Sequence, residues 1–291
     1  MAGDAITNAM TVDVEDYFHV SAFASSLQRD DWPALESRVE RNTRRLLDLF
    51  GRTGTRATFF VLGWVAERYP ALVREIGAAG HEVGCHGYSH RLIYQQPRDE
   101  FAAETRRAKA AIEQALGARV RGYRAASFSV TSKTLWALDE IAAAGFEYDS
   151  SVAPMRHDIY GWVDGPQVPT RLRTQGGAEL IEFPVMLARW GRVSLPVAGG
   201  GYFRILPYLL VRRGLERINR AQRQPFFFYL HPWEIDPGQP RIEAGLKSRL
   251  RHYTGLERCE ARLERLVGEF RFDAMADVLD GLDLPSAAVR S

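Results

Sequence analysis

Short apolar runs alternate with longer amphipathic stretches along most of the chain. The runs "AMTVDV" (9–14), "RATFFVL" (56–62), "HEVGCH" (81–86), "VRGYRA" (120–125), "FEYDSS" (146–151), "ELIEFPV" (179–185) and "PFFFYLH" (225–231) have the length and composition of strands. Between most of them, "PALESRVERNTRRLLDLF", "GWVAERYPALVREIGAA", "PRDEFAAETRRAKAAIEQAL" and "SKTLWALDEIAAA" read as helices. In the first, Leu35, Val39, Leu46, Leu47 and Phe50 recur at helical spacing. Gly51, Gly80, Gly117 and Gly145 stand where these helices run out before the next strand, and glycine there supplies a left-handed C-cap. Repeated strand–helix–glycine–strand units predict an α/β fold with a parallel sheet and right-handed crossovers. About seven strands fit a barrel, closed or nearly closed, better than an open sheet. In either architecture, sites gather at the C-terminal ends of the strands. Asp13, His86, Arg124 and His231 all stand at the ends of runs.

The alternation lapses over 152–178, "VAPMRHDIYGWVDGPQVPTRLRTQGG", which reads as a long loop, and a loop of that length is usually functional or mobile. After residue 240 come "SRLRHYTGLERCEARLERLVGEF" and "DAMADVLDGL", so a barrel over 1–240 and a helical C-terminal extension over 241–291, packing on it, are expected. Composition narrows the class. The 291 residues are 46% hydrophobic and 25% charged, as in an ordinary globular protein with a sizeable core. Lys+Arg 38 against Asp+Glu 36 leaves +2, so there is neither a basic excess for nucleic acid nor an acidic tail. Two cysteines, Cys85 and Cys259, exclude a disulfide framework and fit a reducing compartment. "MAGDAITNAM" lacks the basic-then-apolar pattern of a signal peptide. No apolar run reaches membrane-spanning length; "RILPYLLVRRGLERI" is broken by arginines. A cytoplasmic protein is expected.

The candidate chemistry begins in "TVDVEDYFHV", which places Asp13, Glu15 and Asp16 at the end of the first strand. Strand alternation points Asp13 and Glu15 to one face and Asp16 to the other, unless the strand is already ending there. In "HGYSH", His86 and His90 are four residues apart, a spacing that stacks both imidazoles on one face of a helical turn. A carboxylate from another strand end would complete an open metal site of catalytic type. The plainer reading is a pair of surface histidines. Cys85 points away from His86 by alternation and reads as a small buried hydrophobe. His81 opens a strand, and His19, His157 and His252 have no evident partner. Gly199, Gly200 and Gly201 could cradle a phosphate but lack the Lys-Ser/Thr of a P-loop, so a tight turn is preferred. Trp162, Tyr202 and Trp233 could stack on sugar rings, although aromatic residues at this frequency are more often packing.

Taken in order, "TVDVED", "HGYSH", "GYRAASFS" and "FYLHPWE" resemble the motifs of NodB-homology polysaccharide deacetylases, carbohydrate esterase family 4, from about Ala9 to Glu234. "DVEDYFHVSAF", "PVAGGGYFRILPY" and "RHYTGLERCEARLERLVGEFRFDAM" resemble the subgroup found with exopolysaccharide loci and exosortase systems. The resemblance implies a distorted (β/α) barrel and a metal-dependent hydrolase that removes N-acetyl groups from an N-acetylated glycan or its lipid-linked precursor. One divalent ion is implied, zinc first, with cobalt or nickel as alternatives. By the same resemblance Asp13 is the general base, His86 and His90 are metal ligands, and Glu15 or Asp16 is the carboxylate ligand. Arg124 orients Asp13, Ser127 supplies an N–H for the oxyanion, and His231 is the general acid. Leu230 and Trp233 face substrate. The usual Arg-x-Pro reads "RAAS", with Ala126 at the proline position, and Leu230 directly precedes His231. A cyclic-amide or small acylated-amine hydrolase, and an inactive glycan-binding relative, are the competing readings. No nucleic-acid partner is expected, and a homo-oligomer is left open.

Overall fold

The structure, a computed structural model, describes residues 6–24, 26–157 and 161–289. In chain order the strands are β1 (Thr7–Val14), β2 (Thr58–Val61), β3 (Glu82–Cys85), β4 (Gly122–Tyr123), β5 (Tyr148–Asp149), β6 (Thr170–Arg173), β7 (Glu179–Glu182), β8 (Leu187–Trp190), β9 (Val193–Pro196), β10 (Phe227–Leu230), β11 (Arg271–Asp273) and β12 (Ser286–Ala288). The chain folds into two compact units, each built from two stretches: Met1–Thr58 with Leu187–Met275, and Phe59–Met186 with Ala276–Ser291.

In the first unit β1 is flanked by β10 and β11, both parallel to it, with Ala9 opposite Phe227 and Val12 opposite Leu230. Ala9, Met10, Val12 and Val14 are fully buried, as expected of a parallel strand covered on both faces. Two polar residues share that burial because each is satisfied. Thr11 Oγ1 donates to the Phe228 carbonyl at 2.9 Å, and Asn8 exchanges amide hydrogen bonds with Asn219. β8 and β9 form an antiparallel hairpin turning at Gly191, whose φ is +59°.

In the second unit the order is β2-β3-β4-β5-β7-β6-β12. β3, β4, β5 and β7 run parallel, β6 is antiparallel to β7, and β12 is parallel to β6. The five strands expected in this unit are all present but shorter, down to two residues in β4 and β5. The sheet is mostly parallel, the α/β fold expected; among the described residues no strand pairing that closes it is detected. β6 lies inside what the sequence reads as loop. Its alternating Thr170-Arg171-Leu172-Arg173 buries only every second residue, and that short signal was outweighed by the surrounding Pro and Gly.

Helix ends follow local chemistry with one correction. Gly80, Gly117 and Gly145 have φ of +81°, +75° and +81°. Gly51, however, lies inside the helix Val39–Thr53, and the left-handed cap is Gly54 at φ +65°. The predicted helix over 63–79 breaks at Tyr69 because Pro70 disfavours helical backbone in the residue before it. The stretch after residue 240 is helical over Leu246–Tyr253 and Leu256–Glu269, and it also supplies β11 and β12. It therefore contributes to both units rather than forming an extension of its own.

Candidate active site

In the first unit, β1 ends at Val14, and the Glu15 N–H turns back to the Asp13 carbonyl at 2.9 Å. The three acids that follow one another here are all buried, yet they have different fates. Asp16 Oδ2 accepts from Ser37 Oγ at 2.8 Å and from the N–H groups of Arg38 and Val39 at 2.7 and 3.1 Å. Its Oδ1 accepts from the Tyr17 N–H at 3.1 Å. Asp16 is thus the acceptor for the unpaired donors that open the helix Val39–Thr53. Burial lifts its carboxyl above the ordinary range, and these donors oppose the lift.

Asp13 and Glu15 instead meet His231, which follows β10. Its Nε2 lies 3.5 Å from Glu15 Oε1 and 3.9 Å from Asp13 Oδ2. Its Nδ1 is bonded to Glu234 Oε1 at 2.7 Å. Burial alone would lower the His231 pKa, but Glu15, Glu234 and Asp13 raise it from 6.5 to about 9. Burial likewise works against the Glu234 charge, and Arg204 and His231 overcome it, holding Glu234 at about 2. Arg204, itself buried, binds Glu234 and donates to the carbonyls of Arg251, His252 and Thr254. Trp233 is buried and donates from Nε1 to Glu15 Oε1 at 3.2 Å. Its indole stacks between the His231 and His252 rings, with centroids at 5.1 and 4.1 Å. In that position it braces Glu15 and His231. Leu230 is buried in β10 beside Val12.

In the second unit, His86 follows β3, and its Nδ1 bonds the Arg124 carbonyl at 2.9 Å. That bond puts the proton on Nδ1 and leaves Nε2 as the free-electron-pair nitrogen, the tautomer a metal ligand requires. His86 and His90 approach to 5.3 Å between centroids, but no helical turn brings them there. The segment is irregular, with Gly87 at φ +73° and His90 at φ +51°. Arg124 is fully buried; it donates to Ser150 and its guanidinium carbon lies 4.2 Å from the Phe60 ring centroid. Ser127 sits in a tight turn with φ +50°, and Phe128 follows at +52°, a left-handed pair that non-glycine residues rarely adopt. Beside Ser150, Asp149 and Glu182 form a fully buried acid pair. Burial raises both, Asp149 to about 6, and their mutual repulsion pushes Glu182 further.

Cys85 is fully buried and its thiol is pushed up to about 12, consistent with a packed hydrophobe. The glycine triplet packs on β10. A Cβ on Gly199 would stand 2.0 Å from the Tyr229 carbonyl oxygen, which accounts for glycine there without a phosphate. Sequence reasoning missed Arg204, Glu234 and His252. Only Glu234 left a signal, an acid three residues after His231 that forms a capping box with it.

The matches to known proteins each take residues from both units. Residues 23–148 match the polysaccharide deacetylase family and residues 150–280 match a domain of unknown function, DUF3473. The chain thus combines a polysaccharide deacetylase domain over 23–148 with a DUF3473 domain over 150–280. His86, His90, Arg124 and Ser127 lie in the first match and His231 in the second, whereas Asp13 and Glu15 precede both. A peptidoglycan-N-acetylglucosamine deacetylase of Bacillus cereus is 38% identical over 76 residues, covering 26% of each chain. Among solved structures, a candidate polysaccharide deacetylase from Mycobacterium smegmatis is similar at TM-score 0.64 and 19% identity, covering 100% of this chain and 97% of that one. PuuE allantoinase is similar at 0.61 and 16%, covering 96% and 91%. A CE4 family pseudoenzyme from Bacillus anthracis is similar at 0.50 and 14%, covering 99% and 70%. These structural likenesses establish the fold.

Proposed function

We propose that this protein is a metal-dependent N-deacetylase acting on an N-acetylhexosamine glycan or its lipid-linked precursor, in exopolysaccharide assembly. The observation that carries the reading is His231. Its Nε2 faces Asp13 and Glu15 while Glu234 holds Nδ1, which is the arrangement of a proton donor beside a base. A second support is donor chemistry: Glu15 in the first unit and His86 and His90 in the second are buried side chains of metal-ligating type. One carboxylate and two imidazoles suit a divalent ion of the zinc type, and the Nδ1 bond of His86 sets the correct tautomer. Glu15 rather than Asp16 is the carboxylate ligand in this reading, because Asp16 is engaged at the helix start.

The ion would supply Lewis acidity and an acidified water at neutral pH. Asp13 then accepts the proton of the attacking water. By the family motif, Arg124 would orient that base and the N–H at Ser127 would serve the developing oxyanion. His231 delivers its proton to the departing amine, and Glu234 keeps that proton available by opposing charge.

The test is acetate release from N-acetylglucosamine oligomers by protein stripped with chelator and then reloaded with zinc, cobalt or nickel. Turnover that returns with metal supports the reading. Faster turnover of a cyclic ureide than of the oligomers would replace the substrate class, and absence of bound metal with no turnover on either would leave a glycan-binding protein.

A further inference from the structure

Beside Arg204, the support of Glu234, the first unit carries a basic apolar face whose exposed side chains the candidate site does not use. Two stretches build it: "RILPYLLVRR" (204–213), which joins the helices Gly200–Ile205 and Tyr208–Arg220, and "GLKSRLR" (245–251), which opens the helix Leu246–Tyr253. Ile205, Leu209, Leu210, Leu246 and Leu250 are 51%, 55%, 37%, 73% and 58% exposed. They are five of the eight large hydrophobics exposed among the described residues, so this is a concentration rather than the single scattered residues normal for a surface. The stretches are tied together by Arg204, whose guanidinium holds the carbonyls of Arg251, His252 and Thr254. Ile205 follows Arg204 directly. The point where a Cβ of Gly201 would lie is 4.0 Å from both Ile205 Cδ1 and the Arg251 carbonyl, which sets Ile205 beside the end of the second helix. Leu246 and Leu250 are four apart and share one face of that helix.

The charge on this face has one sign. Neither stretch contains Asp or Glu, and Arg213, Lys247, Arg249 and Arg251 are exposed on them. The nearest acid ahead of the second helix is Glu243. Near the first, Glu216 and Glu269 already bind Arg212, and Glu269 also binds Arg265 and Tyr208. A chain with a formal charge of only +2 has thus gathered cations around these exposed aliphatic side chains.

We infer that this face binds the surface of an anionic lipid bilayer. Branched aliphatic side chains ringed by Lys and Arg suit the boundary between headgroups and acyl chains, where the aliphatics enter and the cations meet lipid phosphates. Lysine is depleted in protein–protein interfaces, and the anchors there are mainly aromatic or Arg, whereas here they are Leu and Ile. No helix of the described residues is long and apolar enough to cross a membrane, so the contact is one of lying on the surface. This inference does not depend on the chemistry proposed above.

Co-sedimentation of the full chain with vesicles of equal parts phosphatidylglycerol and phosphatidylcholine, compared with phosphatidylcholine alone, tests it. Binding is expected only to the anionic vesicles, and it should weaken as salt is raised. The double variant Leu209→Ser/Leu250→Ser and the variant Arg213→Gln/Arg249→Gln should each reduce binding at least tenfold. Hydrogen exchange of the unaltered protein should show vesicle-induced protection confined to 205–213 and 246–251, which stands even if a variant folds poorly. No binding to anionic vesicles, equal binding to both vesicles, or protection elsewhere overturns the proposal. So does a concentration-dependent dimer, seen by ultracentrifugation without lipid, that Leu209→Ser/Leu250→Ser dissolves, since the face would then belong to a second copy.

Discussion

Asp13 and Glu15 share His231 as a partner, and Asp16 parts from them. Glu15 meets His231 and Trp233, whereas Asp16 meets donors that arrive from residues 37–39. Glu15→Gln should weaken divalent-metal affinity by at least about tenfold in a chelator competition, while Asp16→Asn leaves it nearly unchanged. Asp16→Asn should instead lower stability by about 1–2 kcal/mol in denaturant unfolding, from loss of a charged helix cap. His231 carries a pH signature. Its pKa is raised from 6.5 to about 9 in the metal-free protein, so its charge stabilises the fold fully below pH 6.5, and that contribution fades as pH rises through about 9. Glu234→Gln removes one of the charges that raise it, and the His231 titration followed by NMR should move down by about one unit or more. Strand alternation read Asp13 and Glu15 as a pair, but the role of Asp16 was not legible, because its partners lie more than twenty residues away.

The elements show which local rules survived tertiary packing. Glycine caps after three helices were readable, since a left-handed backbone demands little beyond the residue itself. The glycine triplet was not, because its cause is the approach of Gly199 to Tyr229 in β10. Gly199→Ala combines a φ of +132° with a collision against backbone, and thermal unfolding should show a loss of more than about 1 kcal/mol. The helix Leu246–Tyr253 carries a second test. His252 is buried against Trp233 and Phe23, donates to Gln239, and has a pKa lowered from 6.5 to about 3, first by burial and then by Arg204. A lowered histidine contributes stability that is present above pH 6.5 and is lost as pH falls toward 3. Hydrogen exchange should therefore show this helix opening first on acidification, and His252→Phe should flatten that dependence.

For the whole molecule, metal is the governing variable in the proposed function. Chelation should abolish acetate release and lower the melting temperature. At free metal one hundred times its Kd, binding to the folded state alone is worth about 2.7 kcal/mol, so the melting temperature should recover on reloading. A melting temperature indifferent to zinc would count against a metal held by Glu15, His86 and His90. The succession of strands along the chain and the deacetylase motifs were legible in the chain, because buried parallel strands are continuous apolar runs. Those are local signals, carried by neighbouring residues. The Arg204–Glu234 pair, the bracing of Trp233 against Glu15 and the capping role of Asp16 were decided by tertiary structure alone. Each joins a charge or ring to a partner distant in sequence, and whether a buried charge is stabilised depends on which partner packing brings within hydrogen-bond reach.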